Sequence, residues 1–436
     1  MALLFLAAAL RIAACLAWSA DLGRDPDAYR GLAERLLDGR GFAAPDGRPT
    51  AYRPPLYPIL LATVLPAGRW GIATLQIALG TATVAIVVAL GRRLGLNRFA
   101  LLAGAIVALD PLLLRYTPQI MTEVTCTFLS ALVLWLTIIV HDRMPRPSAN
   151  RRATLLLATT LGASFGLAVL SRPTFWAFGM LAGVAWGYEV ARDRTRLRNW
   201  IGATGCVLLG LGTVVAPWAV RNNIVIGLPV VTTTHGGYTL LLANNLVFWR
   251  EVVLAPSDTV WGRERLDEWQ HSLEEAMAAD GIAATDELAR DRWMRDQAFD
   301  TIRRHPRLFV RSSVHRVTRF WDIVPAGSIP AATRWSVGTF YAVTQALALL
   351  ALIGIGIRFW RSFKNREPGP EGRRAENGER LAAWVPALLL VIAFTAVHAI
   401  YWSDARMRAP CVPVVALLAA RACAMVSARR YAKVAP

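Results

Sequence analysis

At 436 residues, 55% hydrophobic and with a mean hydropathy of +0.39, the chain is too apolar for a soluble enzyme and repeatedly offers runs long enough to cross a bilayer. Its formal net charge of +18 falls in short clusters between those runs, with no basic face interleaved with aromatics. That excludes a nucleic-acid surface and marks the clusters as topology signals. Lys364 and Lys433 are the only lysines, an arginine bias that suggests a GC-rich, bacterial coding sequence.

The first apolar segment, residues 3–20, reads as an uncleaved membrane helix. It lacks a basic start and Arg11 interrupts it; because "WSA" precedes Asp21, a cleaved signal peptide is the alternative. An arginine at that depth should face the bundle interior or a wet cavity. Next comes a charged stretch, "RDPDAYRGLAERLLDGRGF" (24–42), in which "AYRGLAERLL" predicts a short interfacial helix. "LYPILLATVLP" (56–66) is too short to cross and is expected to lie in or near the interface. Further apolar segments follow at 70–91, 99–114, 122–140, 153–170, 173–191, 200–219, 335–357, 382–402 and 409–427.

Ten crossings with both termini inside satisfy the positive-inside rule. The Arg-rich connections, "RRLGLNR" (92–98), "HDRMPRPSANRR" (141–152), "ARDRTRLRN" (191–199), the loop 358–380 and the C-terminal "ARRYAKVAP", occur on every second connection and are expected to be cytoplasmic. The alternate connections, 21–69, 110–121, 171–173, 220–334 and 403–408, are then extracytoplasmic. Apolar residues in 220–334 recur at helical spacing between charges, which predicts amphipathic helices over the membrane core and no strand. The expected organisation is a membrane core at 1–220, an extracytoplasmic helical region at 221–334, and C-terminal membrane helices at 335–436. Residues 365–380 read as a flexible, low-complexity loop. Cys15, Cys126, Cys206, Cys411 and Cys423 are scattered through apolar segments, so neither a disulfide nor a cysteine metal site is expected.

No GxGxxG, P-loop, CxxC or HExxH pattern occurs, which argues against a nucleotide-driven pump and a thiol or zinc enzyme. What remains is a set of acids and arginines at the extracytoplasmic helix ends: Asp21, Asp25, Asp27, Arg53, Asp110, Arg115, Glu123, Arg172, Arg221, His235, Asp404, Arg406 and Arg408. Each has an ordinary role open to it. Asp21, Asp27 and Asp38 suit solvated loop charges or caps; Glu123 opens a helix, where the dipole favours an acid. Arg172 could snorkel, and Arg221, Arg406 and Arg408 could anchor helix ends. Together they suit something more specific, because guanidinium forks match the oxygens of a lipid-borne phosphate and a nearby carboxylate suits a general base.

At this point the residues resemble the GT-C superfamily of membrane glycosyltransferases, in the bacterial branch related to protein mannosyltransferases and aminoarabinose transferases. The stretches that carry the resemblance are "DPDAYRGLAERLLDGRGF", "GRPTAYRPPLYPILLA", "DPLLLRYTPQIMTEVTCTFL", "GLAVLSRPTF", "PWAVRNNIVIGLPVVTTTHGGYTLLLANN", "IRRHPRLF" and "HAIYWSDARMRAPCVPVVALLAA". The first and last blocks are the most specific. The resemblance implies an all-α polytopic membrane protein of about ten transmembrane helices plus extracytoplasmic interfacial helices. It also implies transfer of a sugar from a polyprenyl-phosphate donor to an acceptor hydroxyl, on a lipid, glycan or protein, outside the bacterial cytoplasmic membrane.

By family position, Asp25, four residues before Tyr29, matches the base of a single inverting displacement, and Asp27 is its rival. Many relatives carry two adjacent acids there, whereas Pro26 separates them in this chain. Glu123 matches the acid that opens the helix after the second outer loop. For the donor phosphate the candidates are Arg221, Arg406 and Arg172, then Arg53, Arg115 and Arg408; for substrate contact they are Tyr29, Tyr57, Asn222 and His235. No metal ligand is assigned, although the superfamily admits a divalent cation. A transporter or flippase of lipid-linked sugars is the alternative; repeat symmetry, its usual mark, is not visible in the sequence.

Overall fold

Helices form at every apolar segment expected to cross the membrane, and the computed structural model describes residues 1–144, 150–192, 197–256, 259–324, 329–364 and 383–434. In chain order they are α1 (Ala2–Ala17), α2 (Arg30–Leu37), α3 (Leu56–Val64), α4 (Gly68–Arg93), α5 (Phe99–Leu109), α6 (Pro111–Tyr116), α7 (Glu123–Arg143), α8 (Arg151–Ser171), α9 (Phe175–Arg192) and α10 (Leu197–Ile226). There follow α11 (Gly236–Ala243), α12 (Leu246–Phe248), α13 (Arg263–Ala279), α14 (Glu287–Arg304), α15 (Pro306–Phe320), α16 (Ala331–Lys364), α17 (Val385–Ile400) and α18 (Val412–Val434). Among the described residues six stretches, Leu56–Arg93, Glu123–Arg143, Arg151–Ser171, Leu197–Ile226, Ala331–Arg358 and Ala405–Ala428, are long and apolar enough to span a membrane; Ala2–Ala17, Phe99–Leu109 and Val385–Ile400 are shorter apolar helices. The protein is a multi-pass, all-α membrane protein.

Several boundaries differ from the expected ones for local reasons. The run 99–114 is split: Asp110 caps α6 by accepting from the Leu113 N–H at 3.0 Å, and Pro111 occupies the first helical position. The segment 56–66 forms α3, which a 3-10 turn over Leu65–Ala67 joins to α4. Gly68 at that joint has φ +65°, a left-handed conformation that glycine adopts without penalty. Before α18, Pro410 lies within a 3-10 turn over Ala405–Cys411. Residues 358–364 continue α16, and the expected flexible loop at 365–380 lies outside the described residues.

Small residues set how the membrane helices pack. A methyl group at Gly162 of α8 would strike the Val207 carbonyl of α10, and one at Gly210 of α10 would strike the Thr159 carbonyl of α8. The two helices therefore meet backbone to backbone, as small residues permit where no water drives association. Gly80 of α4 serves Arg11 of α1 in the same way: a side chain there would displace the guanidinium. Arg11 is fully buried and donates to the Ala7 carbonyl at 3.1 Å, so it faces the bundle interior as expected.

Between α10 and α16, helices α11 to α15 form a cap. Trp269, Leu273 and Met277, four residues apart along α13, bury one stripe against Leu240, Leu241 and Trp249. Burial of each large apolar side chain is worth about 1.5–3 kcal/mol. Among the described residues the only β pairing is an isolated bridge between Ala43 and Pro49. Polar contacts lash the cap to the first loop: the Thr234 N–H donates to the Ala51 carbonyl at 3.0 Å, while Glu287 of α14 accepts from Thr50 Oγ1 at 2.6 Å and from the Ala51 N–H at 3.0 Å. Buried Arg316 of α15 donates to the Ala243 and Ala399 carbonyls at 2.6 and 3.0 Å, fastening the cap to α17.

Candidate active site

A cavity of about 1260 Å³ lies beneath the cap. Its walls come from the first loop, the start of α7, the α8–α9 turn, residues 232–242, α13, α14 and residues 397–407. Its membrane-side wall is ionic. Arg406 Nη1 donates to Asp27 Oδ2 at 3.1 Å and lies 3.8 Å from Glu123 Oε1. Asp404 holds Arg406 in place, accepting from its N–H at 2.9 Å and from its Nε at 3.2 Å. Arg172 Nη2 donates to Thr122 Oγ1 at 2.9 Å and to Glu123 Oε1 at 3.2 Å. Glu123 is fully buried behind these arginines and does not line the cavity, whereas Asp27, Arg172 and Arg406 do.

The two rival aspartates face different tasks. Asp25 accepts from the Tyr29 N–H at 2.9 Å and the Arg30 N–H at 2.7 Å, so both its oxygens satisfy the open start of α2, and it does not line the cavity. Asp27 uses Oδ2 on Arg406, and its Oδ1 has no partner among the described residues. Between them and α2 the chain turns at Ala28, which takes the left-handed φ of +57°. A non-glycine residue there costs about 1–2 kcal/mol, a strain that the surrounding contacts hold in place. Burial pushes the Asp27 carboxyl up, but the charges of Arg406, Arg53 and Arg172 outweigh it and hold the group below its ordinary value.

Arg53 also lines the cavity, its guanidinium over the rings of Tyr29 at 5.4 Å and Tyr52 at 5.5 Å. It has no hydrogen bond or ion pair among the described residues. His235 packs edge-on to Tyr52 at 4.3 Å and stacks on Tyr238 at 5.0 Å. Burial, and then the charge of Arg53, push its imidazole down to about 3, so it is neutral at physiological pH.

The other expected site residues make the following contacts within the protein. Arg221 donates to the carbonyls of Phe42 and Thr50 and to Asn222 Oδ1, clamping the first loop onto α10. Asn222 in turn donates to the Val230 carbonyl at 2.7 Å. Arg408 donates to the carbonyls of Phe320 and Asp322 and lies over Tyr341 at 4.2 Å. Arg115 pairs with Asp21 at 2.6 Å. Tyr57 is buried behind Tyr29 and accepts from Gln76 at 3.0 Å; Tyr29 itself lines the cavity. Among the described residues no group of three or more His, Cys, Asp or Glu side chains is disposed to hold a metal ion. Asp27, Glu123 and Asp404 each pair with a guanidinium.

Sequence reasoning passed over Thr122, Tyr52, Glu287 and His398, all of which touch the cavity. For His398 a signal existed: it is the only ionisable residue in an otherwise apolar helix, and such residues default to a functional reading.

Comparison with known proteins agrees with this architecture. Residues 53–220 match the dolichyl-phosphate-mannose-protein mannosyltransferase family. The fold is similar to that of an oligosaccharyltransferase from Archaeoglobus fulgidus in its apo form, with a TM-score of 0.56 and 16% identity over 99% of this chain and 51% of that one. A structure of the oligosaccharyltransferase AglB from Archaeoglobus fulgidus, in complex with an inhibitory peptide and a dolichol-phosphate, gives a TM-score of 0.55 and 14% identity over the same shares, 99% and 51%. The chain thus spans about half the length of these solved relatives. No curated protein matches it. The chain thus shares the fold of these membrane oligosaccharyltransferases, and its residues 53–220 are similar to the mannosyltransferase family.

Proposed function

We propose that the protein transfers a sugar from a polyprenyl-phosphate donor to an acceptor hydroxyl, by a single inverting displacement in the cavity beneath the cap. The observation that carries this reading is the convergence of one carboxylate with an open oxygen, Asp27, and three guanidiniums, Arg53, Arg172 and Arg406, on one cavity at the ends of the membrane helices. A dolichol-phosphate is bound in one fold relative, and an oligosaccharyltransferase structure from the same organism carries a tethered acceptor peptide. Both accord with a lipid-linked donor and a separate acceptor.

In the proposed reaction the acceptor oxygen attacks the anomeric carbon as its proton passes to Asp27 Oδ1. The bond from that carbon to the phosphate oxygen breaks, and polyprenyl phosphate leaves with the electron pair. Arg53, with no competing carboxylate, meets the phosphate first; Arg172 and Arg406 stabilise the charge that the leaving group gains. Glu123 and Asp404 orient these two arginines. As the phosphate neutralises the guanidiniums that depress Asp27, the carboxylate becomes a stronger base at the moment the donor is seated. The positive-inside pattern of the sequence supports a position for this face outside the bacterial cytoplasmic membrane.

The test is incubation of the purified protein with a panel of polyprenyl-phosphate sugars and candidate acceptors, following release of polyprenyl phosphate. Turnover of one donor supports the reading; absence of both binding and turnover across the panel contradicts it.

A further inference from the structure

His398 lines the cavity but takes no part in the ionic cluster. It is 5% exposed, and its ring is stacked on Phe320 at 5.4 Å with 24° between the planes, so the imidazole plane is fixed. Its Nδ1 lies 2.8 Å from the Trp402 carbonyl oxygen. A carbonyl only accepts, so Nδ1 carries the proton and, in the neutral ring, Nε2 presents a lone pair. That lone pair is buried and has no hydrogen-bond partner among the described residues.

A buried acceptor without a donor is costly, and one on a side chain that lines a cavity is matched when a ligand that settles against that side chain brings an O–H or N–H. An ionised phosphate cannot be that ligand group, because its oxygens only accept. Arg172 Nη2 and the Arg406 guanidinium, which border the same cavity, are already turned to Glu123, Asp27 and Asp404, and Arg172 Nη1, also without a partner among the described residues, is left for the phosphate. What the site needs is therefore a hydroxyl held beside the phosphate-binding guanidiniums, and a sugar on a lipid phosphate supplies one.

We propose that His398 Nε2 accepts a hydrogen bond from a hydroxyl of the donor sugar, which makes the cavity selective for rings that carry it. This rests on the sugar-transfer function above. The role differs from the phosphate contacts, which hold the lipid headgroup whatever sugar it carries.

The test is equilibrium binding to the full-length protein in lipid nanodiscs. The probes are a polyprenyl monophosphate, the same lipid carrying one hexose from a panel, and ring-monodeoxy versions of the tightest hexose. The wild type should bind its preferred hexose-bearing lipid about tenfold more tightly than the bare lipid, the worth of one well-placed hydrogen bond. One monodeoxy analogue should lose that gain. His398→Phe, which keeps the ring stacking, should lose the gain while binding the bare lipid normally, which also shows that it folds. His398→Gln, with an amide oxygen near the Nε2 position, should recover part of it. If His398→Phe keeps the full gain, or weakens bare lipid and glycosylated lipid alike, the assignment is overturned while the transferase reading stands. If the wild type binds none of these lipids, the transferase reading itself falls, and the assignment with it.

Discussion

Asp27 and Arg406, 379 positions apart in the chain, meet at the cavity wall with Arg406 Nη1 3.1 Å from Asp27 Oδ2. The side chains are 22% and 21% exposed, so the pair is sheltered from bulk solvent yet open to a ligand. It joins the first loop to the turn that precedes the last membrane helix. Both ends of the chain are thus needed to build one site.

Arg53 is expected to govern donor affinity. Arg53→Gln removes a guanidinium that makes no hydrogen bond or ion pair among the described residues, and a charge-assisted hydrogen bond is worth about 1.5–3 kcal/mol, so affinity for a polyprenyl monophosphate should fall about ten- to a hundredfold. Arg221→Gln should instead lower the thermal midpoint and leave donor affinity within about threefold, since its bonds go to carbonyls of the first loop. Lipid-binding titrations of the two variants separate the roles.

Glu123 is predicted to act through the arginines it positions. Glu123→Gln keeps a hydrogen-bond acceptor for Arg172 but removes the buried countercharge. Breaking such a pair costs about 3–5 kcal/mol, so thermal stability should drop clearly and donor affinity should fall with it. Glu123→Asp, which retains the charge, should recover part of both.

The pH dependence follows from the direction of two shifts. Because the guanidiniums hold Asp27 below its ordinary value, the acid limb of kcat/KM should lie below the usual carboxylate range, and Arg53→Gln should move it upward. The stability this depressed carboxylate contributes is present above its unfolded-state pKa and is lost as pH falls through the folded one. His235 is neutral in the folded protein down to about 3, whereas an unfolded histidine gains its proton near about 6.5. Protons therefore favour the unfolded chain as pH falls below the unfolded value. The thermal midpoint should decline from about pH 6.5 toward 4, and His235→Phe should flatten that decline.

The α8–α10 contact should tolerate no side-chain growth. Gly162→Val would drive a branched side chain into the Val207 carbonyl, so the variant should express poorly or unfold at a markedly lower temperature. Gly183→Val, at a glycine with open space around it, is the matched control.

Most of the fold was legible because long apolar runs and Arg-rich connections are one-dimensional signals. The site was less so. Whether Asp25 or Asp27 reaches the cavity depends on a left-handed turn at Ala28, which carries no glycine to announce it. Arg221 stands first among the arginine candidates in the sequence, yet it donates to backbone carbonyls some 170 residues away, and no side-chain pattern marks those. Arg53 ranked low for the converse reason: its availability comes from the absence of a partner, visible only once the neighbours are in place.

The most direct test of the account compares Asp27→Asn, Asp25→Asn and wild type for release of polyprenyl phosphate from a donor that the wild type turns over, with thermal stability measured on the same samples. General-base assistance is worth about 10² to 10⁴ in rate, so Asp27→Asn should bind the donor, remain folded and lose at least a hundredfold in turnover. Asp25→Asn should keep most of its turnover and lose about 1 kcal/mol of stability through the weakened start of α2. Near wild-type turnover by Asp27→Asn, or loss of turnover by a stably folded Asp25→Asn alone, would contradict it.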